Sequence, residues 1–103
     1  MVNAGHIRNL PDGCVIEIPG YVDKNGLNMP MVGDLPLACA ATCSVSVRVQ
    51  EMGMEAAVHG DVGLLKQAVL HDPLVGAVCN PAEVWAIVDE MLVAQAQWLP
   101  QYG

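Results

Sequence analysis

The chain has 103 residues, of which 53% are hydrophobic and 15% are charged, and its formal net charge is −7. The length predicts one small domain, residues 1–103. Its four basic residues are scattered singly, so no basic stripe favours nucleic acid or an anionic membrane surface. No apolar run approaches the roughly 20 residues of a membrane span. The start has no charged region followed by an apolar one, and this predicts a cytoplasmic location.

The low charge also predicts an apolar surface patch, because ordinary domains carry about 25% charged residues. A patch of this kind would be covered by a partner. The partner is either the missing remainder of a longer protein or a second copy of the chain. The alternative is a compact helical core rich in Ala and Val that needs no partner.

Residues 1–36 are rich in Gly and Pro and are predicted to be extended. Residues 11–13, Pro-Asp-Gly, have the composition of a turn in which Gly13 can take a positive φ. Residues 14–18 then alternate apolar and other side chains, which predicts a strand with Glu17 facing solvent. Pro19 ends this strand because proline cannot donate to a sheet.

Asn25-Gly26 predicts a hairpin turn between residues 21–23 and 27–29, because both residues tolerate φ > 0. The remainder, residues 37–103, is predicted to be helical. Three helices are expected: 37–59, ending at Gly60; 62–70, capped by Asp61 and closed by Asp72-Pro73; and 81–96, begun by Asn80, Pro81 and Glu83. The predicted fold class is therefore α+β, a short N-terminal β-hairpin and strand element followed by three α-helices.

The cysteines and histidines offer few candidate sites. Cys39 and Cys43 stand four residues apart on a helix and could supply two metal ligands, but a structural zinc site needs four. Reduced, packed thiols are the favoured interpretation for all four cysteines. No glycine-rich nucleotide-binding fingerprint occurs. We therefore assign no catalytic, cofactor-binding or metal-binding residue from the chemistry of the sequence alone.

Residues 3–11, N-A-G-H-I-R-N-L-P, and the V-I-E-I-P run that follows resemble the N-x-G-x-I-x-N-L-P…V-V-E-V-P segment of family 4 glycoside hydrolases. The likeness continues in order along the chain to residue 102. It is carried by residues 22–26, 33–36, 49–51, 55–57, 71–74, 88–92 and 98–100. The resemblance is to the C-terminal part of enzymes of the α-galactosidase and α-glucosidase type.

This resemblance implies a fold like part of the lactate and malate dehydrogenase C-terminal domain. It also implies that NAD and Mn²⁺ serve the full-length enzymes, while this chain alone binds neither. An N-terminal dinucleotide-binding domain would carry the catalytic residues and would be the missing partner. The loop containing Asn3, Gly5, His6 and Ile7 would lie next to the active site, although a purely structural turn is the competing interpretation.

Two hypotheses follow. The chain is the C-terminal portion of an NAD- and Mn-dependent glycosidase and is catalytically silent in isolation, with a subunit interface that makes the enzyme a homo-oligomer. Alternatively, it is a stand-alone homodimeric interaction module derived from such an enzyme. A small metal-binding protein using Cys39 and Cys43 is a third possibility.

Overall fold

A computed structural model describes all residues from Met1 to Gly103. The chain contains a two-stranded antiparallel hairpin followed by helices, which confirms the α+β class. The elements are β1 (Tyr21–Asp23), β2 (Gly26–Asn28), α1 (Leu37–His59), α2 (Val62–His71), α3 (Pro73–Val78), α4 (Pro81–Ala94) and a 3-10 helix (Pro100–Tyr102). None of the helices combines the length and hydropathy needed to cross a bilayer.

The chain divides into two compact units, Met1–Val47 and Arg48–Gly103, with the division inside α1. We call them the N-terminal unit and the C-terminal unit and describe each by itself. The expectation of one domain over residues 1–103 stays a prediction.

In the N-terminal unit, the predicted strand 14–18 is wrong as a regular strand. The segment is extended, but its pairing is confined to an isolated antiparallel bridge between Val2 and Val15. Hydrogen bonds flank this bridge, from Asn3 N to Cys14 O at 2.7 Å and from Ile16 N to Met1 O at 2.8 Å. The ladder stops there because the paired segment is short and Pro19 follows.

The predicted alternation of residues 14–18 is nevertheless correct. Ile16 is buried, Cys14 and Ile18 are half-buried, and Val15 and Glu17 are exposed. Ile16 joins Ile7 and Leu10 in the core of this unit, and Cys14, Ile18, Leu35 and Cys43 pack against that core. A segment therefore has a buried face here without belonging to a sheet.

The hairpin forms where Asn25-Gly26 predicts it. Val22 pairs with Leu27, and Asp23 pairs with Gly26 across a two-residue connection. Gly26 has φ +111°, whereas no residue other than glycine has a positive φ, so Asn25 does not adopt the left-handed conformation expected of it. The Asp23 carboxylate accepts the Asn25 N–H at 2.7 Å and closes the turn instead.

In the C-terminal unit, the local helix signals are confirmed. Asp61 accepts the Leu64 N–H at 2.9 Å at the start of α2. Asn80 and Glu83 form a complete capping box at the start of α4, with Pro81 as the first helical residue. Helix α2 packs on both α3 and α4. The buried apolar residues of the C-terminal unit are Ala56, Ala68, Val84 and Val88.

The number of helices differs from the prediction, because four α-helices form rather than three. Asp72 ends α2 and also begins α3, with its carboxylate accepting N–H groups from Leu74 and Val75. Pro73 thus occupies the first turn of a new helix, where its missing N–H costs nothing. Helix α4 also ends two residues early, and Ile87 and Met91 on this helix are 44% and 48% exposed.

Candidate functional site

The loop predicted to adjoin an active site is organised by Asn3, whose side chain is 1% exposed. Its Oδ1 accepts the Ile7 N–H at 3.1 Å. Its amide nitrogen donates to three backbone carbonyls: Ile7 O at 2.9 Å, Leu10 O at 3.2 Å and Pro11 O at 3.1 Å. An amide nitrogen has two hydrogens, so at least one is shared between acceptors. The buried Asn3 side chain therefore donates its hydrogen bonds to nearby backbone carbonyls and stabilises the loop.

Gly5 and Ile7 also have structural roles. Gly5 has φ +79°, and a Cβ there would meet Met31 at an ordinary distance of 3.8 Å, so backbone conformation rather than space requires glycine. Ile7 is 5% exposed and belongs to the core of the N-terminal unit. These two residues shape the loop and offer no reactive atom.

His6 is different because one atom of its half-buried ring has no partner. Its Nδ1 lies 3.3 Å from Pro30 O. A carbonyl oxygen can only accept, so Nδ1 carries the hydrogen and Nε2 of the neutral imidazole keeps its lone pair. The structure gives Nε2 no hydrogen-bond partner. His6 is thus the member of the loop whose side chain has a polar atom open to contact with another molecule.

Residues 6–9 are joined to residues 30–35, and the sequence did not reveal this pairing. The His6 carbonyl accepts N–H groups from Val32 at 2.8 Å and from Gly33 at 3.2 Å. Asn9 exchanges two hydrogen bonds with the backbone of Leu35, at 2.8 and 2.9 Å. An exposed ion pair between Arg8 and Asp34 lies alongside, at 3.2 Å. Since the partners are about 26 residues apart, no local signal could have predicted them.

The cysteines do not assemble a metal site. All four are free thiols, and Cys39 is exposed, so the prediction that every thiol is packed is wrong for this residue. Nowhere in the chain do three or more His, Cys, Asp or Glu side chains come together in a way that could hold a metal ion. The residues present therefore do not fit Mn²⁺.

The remaining histidines act within their helices. The ring of His71 contacts Gln67 O at 2.8 Å in the last turn of α2, and such a contact is typical of the C-terminal end of a helix. His59, in the last turn of α1, contacts the Glu55 carboxylate at 3.2 Å. Neither is placed in a cluster with other candidate residues.

A surface depression on α4 carries charge. This shallow, open depression is lined by Asp89, Glu90, Val93 and Ala94. Asp89 is already paired with Lys66 at 2.7 Å. The carboxylates of Asp89 and Glu90 would repel a pyrophosphate, so the depression does not fit NAD.

Comparison with known proteins gives the family. Residues 1–75 match the model described as the family 4 glycosyl hydrolase C-terminal domain. An α-galactosidase of Rhizobium meliloti (strain 1021) is 63% identical over 101 residues, covering 98% of this chain and 21% of that protein. An α-galactosidase of Bacillus subtilis (strain 168) is 30% identical over 102 residues, covering 99% and 24%. A probable 6-phospho-β-glucosidase of the same strain is 33% identical over 103 residues, covering 98% and 22%.

The α+β chain thus matches a domain of glycosidases that is described as C-terminal. The chain belongs to the C-terminal domain family of the family 4 glycosyl hydrolases. It spans about a fifth of the length of the curated relatives that it matches. The resemblance that the sequence motifs indicated is therefore confirmed.

Proposed function

We propose that this chain is the C-terminal structural part of an NAD- and Mn-dependent glycosidase of the α-galactosidase type and is catalytically silent in isolation. The observation that carries the proposal is the 63% identity to an α-galactosidase over 98% of this chain. The preceding part of such an enzyme would hold the dinucleotide and the metal. A cytoplasmic location, where thiols stay reduced, belongs to the same proposal.

The chemistry of the side chains supports the silence of the isolated chain. The reaction type needs a redox cofactor, which supplies the hydride chemistry, and the protein must bind and orient it. In support of the proposal, no three possible metal ligands come together, and the depression on α4 is lined by two acidic side chains rather than basic ones. Its own contribution would be to shape one wall of the substrate site with the loop of residues 3–7.

The first experiment measures hydrolysis of a 4-nitrophenyl α-galactoside by the purified 103-residue chain with NAD and Mn²⁺ present. We expect no turnover above the rate without protein, while the Rhizobium meliloti α-galactosidase in the same buffer serves as the positive control. Turnover by the isolated chain would contradict the proposal.

The second experiment tests the position of the loop in a full-length enzyme. The 103 residues replace the matching region of the Rhizobium meliloti enzyme to give a chimera. His6→Gln in this chimera is expected to lower kcat/KM about tenfold, the value of one lost hydrogen bond to the substrate, ~1.4 kcal/mol. His71→Gln, at the end of α2, is the matched control and should leave kcat/KM unchanged. Equal effects of the two substitutions would argue against a loop beside the active site.

The residues of this chain do not indicate which sugar the enzyme binds. The relatives that share the domain bear the names of α-galactosidases and of a probable 6-phospho-β-glucosidase. We propose that specificity is set by the preceding polypeptide. The chimera should accordingly keep the substrate preference of the enzyme that supplies its N-terminal part.

The second candidate function is a stand-alone homodimeric module, and the exposed apolar side chains favour it. Leu74, Val78, Val93 and Trp98 of the C-terminal unit are each at least 70% exposed. Sedimentation equilibrium of the 103-residue chain distinguishes the two: a tight, specific dimer supports the module. A monomer, or polydisperse association, supports a domain separated from its enzyme.

A further inference from the structure

The turn of the N-terminal hairpin carries an asparagine whose side-chain amide is free. Asn25 is exposed, and the group that binds the Asp23 carboxylate, at 2.7 Å, is its backbone N–H rather than its side chain. The side chain of Asn25 forms no hydrogen bond within the protein. The amide carbon of this side chain, Cγ, is therefore open to attack by a nucleophile.

The nucleophile closest along the chain is the backbone nitrogen of Gly26. Attack of this nitrogen on Cγ of Asn25 closes a five-membered ring. The side chain of the residue that follows an asparagine normally hinders such an attack, but glycine has no Cβ. A Cβ built at Gly26 would have no heavy atom within 4 Å, so no neighbouring segment covers this residue.

Ring closure requires the turn to open, because Gly26 is paired with Asp23 in the hairpin. Each strand has only three residues, and all six are exposed. A two-stranded hairpin of this kind is marginal in water. Its local opening costs much less free energy than unfolding of the whole chain. The folded protein therefore reaches the conformation in which the Gly26 nitrogen can attack.

Two of the other asparagines are protected by their hydrogen bonds. Asn3 is 1% exposed, and its amide nitrogen donates to backbone carbonyls. Asn9 is exposed, but both polar atoms of its side chain bind the backbone of Leu35. In both cases the hydrogen bonds hold the amide group away from the backbone nitrogen of the next residue.

The remaining two asparagines are disfavoured by the residue that follows them. Asn28 is exposed, and its side chain makes one long hydrogen bond of 3.4 Å, but the bulky Met29 comes next. Asn80 precedes Pro81, whose nitrogen has no hydrogen to lose and cannot form the ring. Asn25 thus stands alone in having a free amide, an exposed position and a glycine after it.

We propose that Asn25 is a deamidation site of this chain. The bond between the Gly26 nitrogen and Cγ of Asn25 forms while the nitrogen gives its proton to solvent. The bond between Cγ and the side-chain nitrogen breaks, and this nitrogen takes up a proton and leaves as ammonia. Water then opens the resulting succinimide. Cleavage at Cγ gives aspartate, and cleavage at the main-chain carbonyl carbon gives isoaspartate.

The isoaspartyl product changes the hairpin. Its main chain runs through Cβ, so the connection between Asp23 and Gly26 becomes one carbon longer. Loop length determines the turn type and the register of a hairpin, so this pair can no longer form as before. Both products also add a negative charge near Asp23 to a chain whose net charge is already −7. Deamidation therefore opens the hairpin.

Peptide mapping by mass spectrometry tests the site. The 103-residue chain is incubated at mildly alkaline pH, and the conversion of each asparagine is followed with time. We expect Asn25 to convert at least about tenfold faster than any other asparagine. Asn28 is the internal control, because it is exposed in the same hairpin and lacks a following glycine. Equal rates at these two residues would overturn the proposal.

Substitutions test the role of the turn. Asp23→Ala removes the hydrogen bond to the Asn25 N–H and should speed deamidation about threefold, because the turn then opens more often. Asp34→Ala is the matched control, since Asp34 forms an exposed ion pair elsewhere in the same unit. Equal rates in the two variants would overturn the dependence on turn opening. Asn25→Gln should abolish the conversion at this position, because its ring would need six members.

The structural consequence is tested by comparing two proteins of equal charge. The isoaspartyl form, separated by ion exchange, should lose the nuclear Overhauser contacts between Val22 and Leu27, which pair in the hairpin. Asn25→Asp carries the same charge on a normal backbone and should keep them. Retention of these contacts in the isoaspartyl form would overturn the proposed opening. None of these measurements involves glycosidase activity, so the proposal stands or fails independently of the proposed function.

Discussion

The two units of this chain are stabilised in different ways. In the N-terminal unit, side-chain amides bind backbone groups of segments that contain little regular structure, with Asn3 and Asn9 as the main examples. In the C-terminal unit, capped helices bury small apolar residues such as Val84 and Val88 against one another. The N-terminal unit therefore depends on a buried polar side chain in addition to its apolar core, whereas the C-terminal unit combines local helix caps with buried small apolar residues.

The largest expected effect is in the N-terminal unit. Asn3→Ala removes the partners of the buried Ile7 N–H and of three carbonyls, so the free energy of unfolding should fall by about 3 kcal/mol. Asn9→Ala is the control: it also removes two hydrogen bonds to backbone, but these are exposed, and water can replace them at a cost of about 1 kcal/mol. Urea unfolding measures both. Similar losses would show that burial of Asn3 is not what stabilises the loop.

The next effect concerns a glycine of the C-terminal unit. Gly60 ends α1 with φ +66°, and a Cβ there would collide with the backbone oxygen of Gln101. Gly60→Ala should therefore cost about 2 kcal/mol, from the left-handed backbone and from displacement of residues 100–102. Gly53→Ala, inside α1 with open space around it, should instead raise stability by about 0.5 kcal/mol through helix propensity. Thermal unfolding of the two variants should shift in opposite directions.

An effect of similar size is expected from one core side chain of α4. Val84 is fully buried, whereas Val93 on the same helix is 81% exposed. Val84→Ala should lower the free energy of unfolding by about 2 kcal/mol through lost burial and the cavity left behind. Val93→Ala should change it by no more than about 0.5 kcal/mol. An equal loss at both positions would mean that Val93 is covered in solution, as the homodimer hypothesis would require.

The smallest expected effect depends on pH. Burial, and then the nearby Asp61 carboxylate, raise the pKa of Tyr102 above its ordinary value of 10.0. The folded chain therefore holds this proton more tightly than the unfolded chain. The stabilisation is complete below pH 10 and is lost as the pH rises through the higher folded-state pKa.

Spectroscopic titration of tyrosinate checks this prediction. Tyr102→Phe should remove the late-titrating phenol and flatten the decline in stability above pH 10. Tyr21→Phe is the control, because Tyr21 is 64% exposed. A tyrosinate titration curve that Tyr102→Phe leaves unchanged at its high-pH end would contradict the assignment.

The sequence alone determined most of the helix boundaries. Asp61, Asn80 and Glu83 cap helices through contacts with residues at most three positions away, and Gly60 ends α1 by its own backbone freedom. The ordered motifs also determined the family, since they lie in the chain regardless of how it folds. Pro73 was misread because the same residue can follow one helix or begin the next.

Tertiary structure decided what the loop of residues 3–7 is. Asn3 and His6 stand three residues apart in one motif. In the folded chain the side chain of Asn3 forms its hydrogen bonds with nearby backbone groups, whereas Nε2 of His6 forms none within the protein. It also decided that residues 14–18 pair only through a bridge and that Val22 and Leu27 face outward. These outcomes depend on contacts between segments far apart in the chain. Local propensity and periodicity act over a few residues, so they cannot predict such contacts.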